Sequence, residues 1–335
     1  MDYLNKISKG EDIQLTKKNT MLEDVFHYNY TIDCINGEIN YIYTKRKYPR
    51  VKVMCNWTAN LLEFWNKLVK NSSQLEFTTE NTDIDYYVII NKPIQTDFFI
   101  PSKTIVFRME PDTNSNELFY NKKWDDWYAS KKSFLFFGDL ETHMNNTEWH
   151  LSKTYTDLLI SACDGSIVKT KTLSTIVSNL YFMKGHKLRL DFLRYIDSKI
   201  NIDVYGFKNT LFRNYKSSLP YHCKDSGIFP YKYTFACENC SMNNYFTEKI
   251  TDAIMGECLC FYWGCPNLDT FINPEAYIRL DLENFEKSLK IMIDCISNHE
   301  WEKRIHIIRE EKIKILRNYS FGKRVWSIIN KSNAV

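Results

Sequence analysis

Residues 231–264 read YKYTFACENCSMNNYFTEKITDAIMGECLCFYWG, a strand, a helix and a second strand in succession. The run 233–238 is aromatic and small-apolar, and 258–264 is another short apolar run closed by Gly264, both of strand length. Between them, Thr247 is a good N-cap, Ile250, Ala253 and Ile254 recur at helical spacing, and Gly256 can end the turn. Strand, helix and strand within about 30 residues is the unit from which parallel sheets are wound. Lys249 falls in the first turn of that helix, where the helix dipole disfavours a cation by about 0.3–1 kcal/mol. A lysine there suits an anion held by the free N–H groups of the helix start. It equally suits a solvated lysine paired with Glu248, and spacing alone does not choose.

Outward from this stretch the same rhythm continues. Residues 173–179 and 202–206 read as strands, with a helix over 186–199 between them that carries Phe192, Leu193 and Ile196 on one face. Residues 277–281 read as a strand and 283–296 as a helix, and a last long helix begins near His299. In the first half, 51–57, 86–91, 104–110 and 133–139 are buried-strand candidates, and Leu61, Leu62, Phe64, Trp65 and Leu68 have helical spacing. The segment 11–20 reads as loop. Strands alternating with helices predict an α/β fold with largely parallel sheets. A boundary near 150–168 divides the chain into two such units, whose site belongs in a cleft at the C-terminal ends of strands.

Two further residues stand out by position. Arg189 sits in the first turn of the 186–199 helix, and Phe192, Leu193 and Ile196 at i+3, i+4 and i+7 put it beside the buried stripe. A guanidinium there needs a partner: a carboxylate on the sheet, or a pyrophosphate gripped by its fork. Glu110 ends the run TIVFRME before Pro111, with Val106 and Arg108 on its face of the strand. It is placed either to pair with Arg108 or to reach the cleft as a base.

Composition bounds the rest. At 335 residues the chain holds about two domains of ~150 residues. Lys and Arg number 44 against 41 Asp and Glu, a net charge of +3 that gives no basic stripe for nucleic acid. Hydrophobic and charged contents of 44% and 25% are those of a globular protein. No window approaches the ~18 consecutive apolar residues of a membrane span, and the opening MDYLNKISKGEDIQL has no signal-peptide pattern. Ten cysteines are too dilute for a disulfide scaffold. A reduced, soluble protein, cytoplasmic or peripheral to a membrane, is the expectation.

The segment from Lys169 to Asp281 resembles the donor-binding half of the α-1,3-fucosyltransferases, glycosyltransferase family ten. The resemblance runs through KTKTLSTIVSN and HKLRLDFLRYIDSKINIDVYG and is strongest at YKYTFACENCSMNNYFTEKITDAIMGECLCFYWGCP. Glu-Asn, an aromatic, Thr-Glu-Lys and a strand ending in Gly follow in order. It covers about a third of the chain; the first half is similar chiefly at FRMEP. The resemblance implies a GT-B fold, two Rossmann-like domains facing across a cleft. It assigns 1–160 to the acceptor, 161–300 to the nucleotide sugar, and 301–335 to a C-terminal helix crossing back to the first domain.

It implies GDP-fucose as donor, the hydroxyl of an acceptor glycan or glycoconjugate as nucleophile, inversion at the sugar carbon, an α-1,3-type linkage, and no metal or other cofactor. By the same resemblance Arg189 and Lys249 hold the donor diphosphate, Asn239, Tyr245 and Glu248 complete the donor site, and Glu110 is the general base. The chain departs from the family pattern at Ala236-Cys237-Glu238-Asn239-Cys240 and in CLCFYWG, changes that leave the phosphate chemistry intact and bear on which sugar and acceptor are used. Another nucleotide sugar on the same fold, or an inactive glycan-binding module, are the alternative readings.

Other motifs carry less. Cys237-x-x-Cys240 with Cys258-x-Cys260 lacks the paired spacing of a structural zinc site. Asp83-Ile84-Asp85 reads as a loop before a strand. The WDDW at 124–127 is either an aromatic sugar-stacking patch or an exposed loop.

Overall fold

The structure, a computed structural model, describes residues 28–35, 38–46, 48–56, 74–94, 97–108, 127–128, 130–138, 148–207, 211–220 and 223–332. An antiparallel hairpin, β1 (Tyr28–Ile35) and β2 (Glu38–Lys45), precedes the first parallel sheet. That sheet comprises β3 (Arg50–Cys55), β4 (Glu76–Thr78), β5 (Tyr86–Ile90), β6 (Thr104–Phe107) and β7 (Phe136–Gly138), in the order β4-β3-β5-β6-β7. Its strands are apolar on both faces because both are covered. Val51, Val53, Val88, Ile90, Ile105 and Phe107 face the main core, while Met54, Tyr87, Ile89 and Val106 face a second cluster with Phe134. Trp127 and Tyr128 pack against Phe134 and Phe137 in that cluster, largely edge-on, with Trp127 stacked on Phe137. The Asp83–Asp85 stretch is the expected loop. Buried Asp85 pairs with Arg46 at 2.7 Å and accepts the Arg50 N–H at 2.6 Å.

After α1 (Tyr155–Asp164) comes the second sheet, in sequence order β8 (Lys171–Ile176), α2 (Lys184–Ile196), β9 (Asp203–Tyr205), β10 (Tyr215–Ser217), α3 (Asp225–Ile228), β11 (Tyr231–Cys237), α4 (Glu248–Met255), β12 (Leu259–Trp263) and β13 (Tyr277–Arg279). The strands lie in the order β10-β9-β8-β11-β12-β13, all parallel. The chain winds outward from β8 to β10 and then returns beside β8 as β11. The order therefore reverses between β8 and β11, the crevice where doubly wound sheets bind ligands. Cys237, Cys258 and Cys260 are buried in or beside β11 and β12 as ordinary core residues, with the Cys258 thiol donating to the Tyr231 carbonyl at 3.1 Å.

The chain closes with α5 (Phe285–Ser297), α6 (Glu300–Asn318) and α7 (Phe321–Ser332). The single long helix expected from His299 is thus two. The Tyr319 N–H closes α6 on the Ile315 carbonyl, and the Ser320 carbonyl opens α7 by accepting the Arg324 N–H. Helix α6 packs on α1, α4 and β12. It is fastened by buried Glu257, which receives Lys312 at 2.9 Å and Arg309 at 2.8 Å. Phe321 at the start of α7 packs on Phe77 and Phe107 of the first sheet, with centroids 5.2 and 6.2 Å away.

Two expected elements change at their ends, and helix α1 is among those that were not expected. Strand β7 covers only the end of 133–139, since Lys131–Ser133 forms a 3-10 turn. Helix α2 starts at Lys184, not 186, because the Gly185 N–H is drawn onto the Asn239 carbonyl at 2.9 Å. Arg189 consequently lies in the second turn rather than the first. Helix α1, opened by a capping box between Thr154 and Asp157, fills what the sequence pattern left as a boundary. The segments 11–20 and 61–68, with Leu61, Leu62, Phe64, Trp65 and Leu68, lie outside the described residues, as do 124–126 and Glu110.

Candidate functional site

Strand β11 is largely apolar toward its end at Cys237, and the chain then presents two polar residues, Glu238 and Asn239, at the C-terminal edge of the sheet. The Glu238 N–H still pairs with the Trp263 carbonyl at 2.9 Å, so its side chain is fixed by the sheet. Helices α2 and α4 both begin at this edge, and each brings one predicted cation.

On the α2 side, a Cβ on Gly185 would fall 1.9 Å from the Glu238 carbonyl oxygen and 2.7 Å from that of Asn239. Only glycine lets the helix start this close to the strand. His186 Nε2 donates to Asn239 Oδ1 at 2.9 Å. Burial, reinforced by the charge of Arg189, pushes the His186 imidazole down to about 4, so it is neutral at physiological pH. Arg189 is 4% exposed. Its Nη2 donates to Ser178 Oγ, just past β8, at 2.7 Å, and its Nη1 to Asn239 Oδ1, just past β11, at 3.4 Å. One guanidinium thus straddles the β8–β11 crevice. Its buried Nε has no hydrogen-bond partner, and no carboxylate among the described residues forms an ion pair with it. A buried cation satisfied only by neutral oxygens is costly unless an anion arrives.

On the α4 side, Thr247 is the N-cap, its Oγ1 accepting the Lys249 N–H at 3.4 Å. Fully buried Glu238 accepts the Thr247 N–H at 2.9 Å and its hydroxyl at 2.8 Å. Burial pushes the Glu238 carboxyl up against the pull of Lys249. Gly264 is needed beneath it, since a Cβ there would lie 2.4 Å from Glu238 Cγ. Lys249 Nζ stands 3.1 Å from Thr247 Oγ1 and 3.5 Å from both Glu238 Oε2 and Glu248 Oε1. The local pairing with Glu248 is therefore real, but loose and shared. Glu248 also receives Lys224 at 3.2 Å. Burial acts to raise its pKa, but Lys224 and Lys249 outweigh it and hold the carboxyl well below the usual range. Buried Tyr245 precedes this turn, in a loop held by reciprocal Asn244–Asn267 side-chain contacts, the Asn244 N–H and the Asn267 amide each donating at 2.8 Å.

Arg189, Asn239, Tyr245, Glu248 and Lys249 thus gather around the end of β11, with Arg189 and Lys249 joined through the consecutive pair Asn239 and Glu238. Glu110 is the predicted site residue about which the structure says nothing. Sequence reasoning did not single out Glu238, His186, Ser178 or Lys224. Glu238 had a signal, a carboxylate directly ending a buried strand; the others become visible only once α2 and α3 are folded onto the sheet. Two helix starts, an under-satisfied guanidinium and a lysine shared between two carboxylates meet at this edge, a combination whose chemistry suits an anion. Among the described residues no three His, Cys, Asp or Glu side chains group as a metal site.

Residues 167–314 match the family model described as glycosyltransferase family 10 (fucosyltransferase), C-terminal part. An alpha-(1,3)-fucosyltransferase of Helicobacter pylori, FucT, is 31% identical over 77 residues, 22% of this chain. The match spans about a sixth (16%) of that relative's length. A crystal structure of an alpha1,3-fucosyltransferase aligns over 94% of this chain and 97% of its own, with 14% identity and a TM-score of 0.51. One of an alpha1,3-fucosyltransferase with GDP aligns over 94% and 98%, with 13% identity and a TM-score of 0.49. The two parallel α/β sheets and the first of these structural likenesses make the fold GT-B, as the sequence resemblance implied. Among the described residues no helix is long and apolar enough to cross a membrane.

Proposed function

We propose that this chain, whose residues 167–314 carry the C-terminal domain of glycosyltransferase family 10, is an enzyme that moves L-fucose from GDP-fucose to a hydroxyl of an acceptor glycan. The carrying observation is Arg189, a buried guanidinium that bridges the ends of β8 and β11 with one N–H unpartnered. Its charge and fork suit a diphosphate seated at the switch point of the sheet. Lys249 and the N-terminus of α4 complete the grip from the other side, and the name of the Helicobacter pylori relative supports fucose as the sugar.

In this reading the donor's β-phosphate gains negative charge as the bond to the sugar breaks. Arg189 and the helix N–H groups are fixed before the reaction, Lys249 is drawn onto the phosphates, and together they stabilise that charge, so no metal is required. Asn239 holds Arg189 in place; Tyr245 and Glu248 border the nucleotide and the sugar, where a carboxylate favours a developing oxocarbenium. The acceptor hydroxyl attacks the opposite face of the sugar, with inversion and an α-1,3-type linkage. Residues 161–300 bind the donor, residues 1–160 bind the acceptor, and 301–335 return the chain to the first unit. Glu110 takes the acceptor's proton, a role that rests on the FRMEP resemblance.

The test is a panel of GDP, UDP and dTDP sugars, with and without EDTA, read by thermal shift and by sugar transfer. Selective stabilisation and turnover with GDP-fucose, unaffected by EDTA, are expected. Preference for UDP sugars overturns the donor assignment, and glycan binding with neither hydrolysis nor transfer makes the chain a binding module. Glu110→Gln is expected to leave GDP affinity unchanged and slow transfer by about 10²–10⁴; undiminished transfer removes Glu110 from the mechanism.

A further inference from the structure

Lys224, which has no place in the site as read from the sequence, is held at the start of α3. Its backbone N–H donates to the His150 carbonyl at 2.7 Å. Its Nζ bridges two carboxylates one turn apart on α4, Glu248 Oε1 at 3.2 Å and Asp252 Oδ2 at 2.7 Å. Asp252 is itself fixed, its Oδ1 accepting the His150 N–H at 2.6 Å. Lys224, Lys249 and Asp252 also line one small cavity of about 30 Å3, together with Thr234 and Cys237.

The second cation at Glu248 is Lys249, which Glu248 shares with buried Glu238, each at 3.5 Å. If Lys249 is drawn to a diphosphate, Glu248 loses much of that counter-charge at the moment the donor binds. Lys224 has no such second duty toward the ligand, and its grip on Asp252 keeps it in place. We infer that Lys224 is a positioning residue for the donor site: it keeps Glu248 ionised and oriented while Lys249 serves the phosphates. This inference rests on the donor reading of the site given above. The charged and titratable groups around Glu248 are Lys224 at the start of α3, Lys249 and Asp252 on α4, His150 on the segment leading to α1, Glu238 after β11 and Arg189 on α2.

The experiment is the pH dependence of kcat/KM for GDP-fucose hydrolysis, together with a carboxyl 13C titration of Glu248 in labelled protein, assigned with Glu248→Gln. In Lys224→Met both the acid limb and the Glu248 titration are expected to move up by about one to two pH units, with activity recovering at higher pH. Lys224→Arg restores the wild-type profile. Asp252→Asn, which removes only the other carboxylate held by Lys224, leaves the acid limb at or below its wild-type position. Should Lys224→Met not fold, Lys224→Gln, uncharged and still a hydrogen-bond donor, carries the same expectation. An unmoved Glu248 titration in the Lys224 variant, or an equal upward shift in Asp252→Asn, overturns the inference. Wild-type protein that fails to bind GDP overturns the donor reading instead, and the 13C titration still decides the Lys224–Glu248 coupling.

Discussion

Replacing Arg189 by methionine separates a structural arginine from one kept for a ligand. In the free protein the guanidinium is 4% exposed and its hydrogen bonds go to Ser178 and Asn239, both neutral. Removing it forfeits those bonds, roughly 1.5–3 kcal/mol each for a charged donor. It also removes an ion whose burial costs several kcal/mol without a counter-charge. The two nearly cancel, so the melting temperature of free Arg189→Met is expected to move by less than about 4 °C in either direction. Affinity for GDP behaves differently. At least one charge-assisted bond of roughly 1.5–3 kcal/mol is lost, raising Kd by about tenfold to more than a hundredfold. Scanning calorimetry of the free protein and titration calorimetry with GDP read the two effects separately. An arginine serving as half of a buried ion pair costs about 3–5 kcal/mol when removed. A fall in Tm above about 8 °C with unchanged GDP affinity therefore refutes the reasoning.

Further outcomes follow from the same geometry. Lys249→Gln leaves Glu238 buried beside no close lysine and weakens GDP binding by about tenfold. Adding Glu238→Gln restores the denaturation midpoint without restoring GDP affinity, which chemical denaturation and titration calorimetry check. His186 and His150 are both held neutral, near pKa 4, against an ordinary 6.5. Between those values the unfolded chain binds more protons, so their contribution, about 3 kcal/mol at most for each, is full above pH 6.5 and is lost as the pH falls toward 4. Urea midpoints in His186→Asn should accordingly fall less between pH 6.5 and 5 than in wild type. Gly185→Ala places a methyl 1.9 Å from the Glu238 carbonyl oxygen. It is expected to cost about 1–3 kcal/mol and to weaken GDP binding with no charge removed, as the start of α2 is displaced from Asn239.

Much of the second sheet was legible because its signals are local. Apolar runs of strand length alternate with helices that carry their own caps, and Thr247, Ile250, Ala253, Ile254 and Gly256 sit where the pattern puts them. Helix ends were less legible. The start of α2 depends on a hydrogen bond from Gly185 to Asn239, 54 residues away in sequence, which no local propensity encodes. The same holds for the break at Tyr319 and Ser320, set by where Phe321 finds the first sheet. Within the site, Arg189 was readable from its place beside the buried stripe of α2, but its lack of a carboxylate partner was not. Spacing allowed an ion pair with the sheet, and only the fold shows neutral oxygens there. Lys224 was hidden for a related reason: it lies outside any periodic segment, and its importance comes from two carboxylates on a helix that follows it by more than twenty residues.

The central claim is that Arg189 and Lys249 hold a nucleotide diphosphate between the ends of β8 and β11. A crystal structure of the protein with GDP tests it most directly. The account predicts β-phosphate oxygens within hydrogen-bonding distance of both the Arg189 guanidinium, its Nε now satisfied, and Lys249 at the start of α4. Nucleotide bound elsewhere, with Arg189 still bonded only to Ser178 and Asn239, contradicts it.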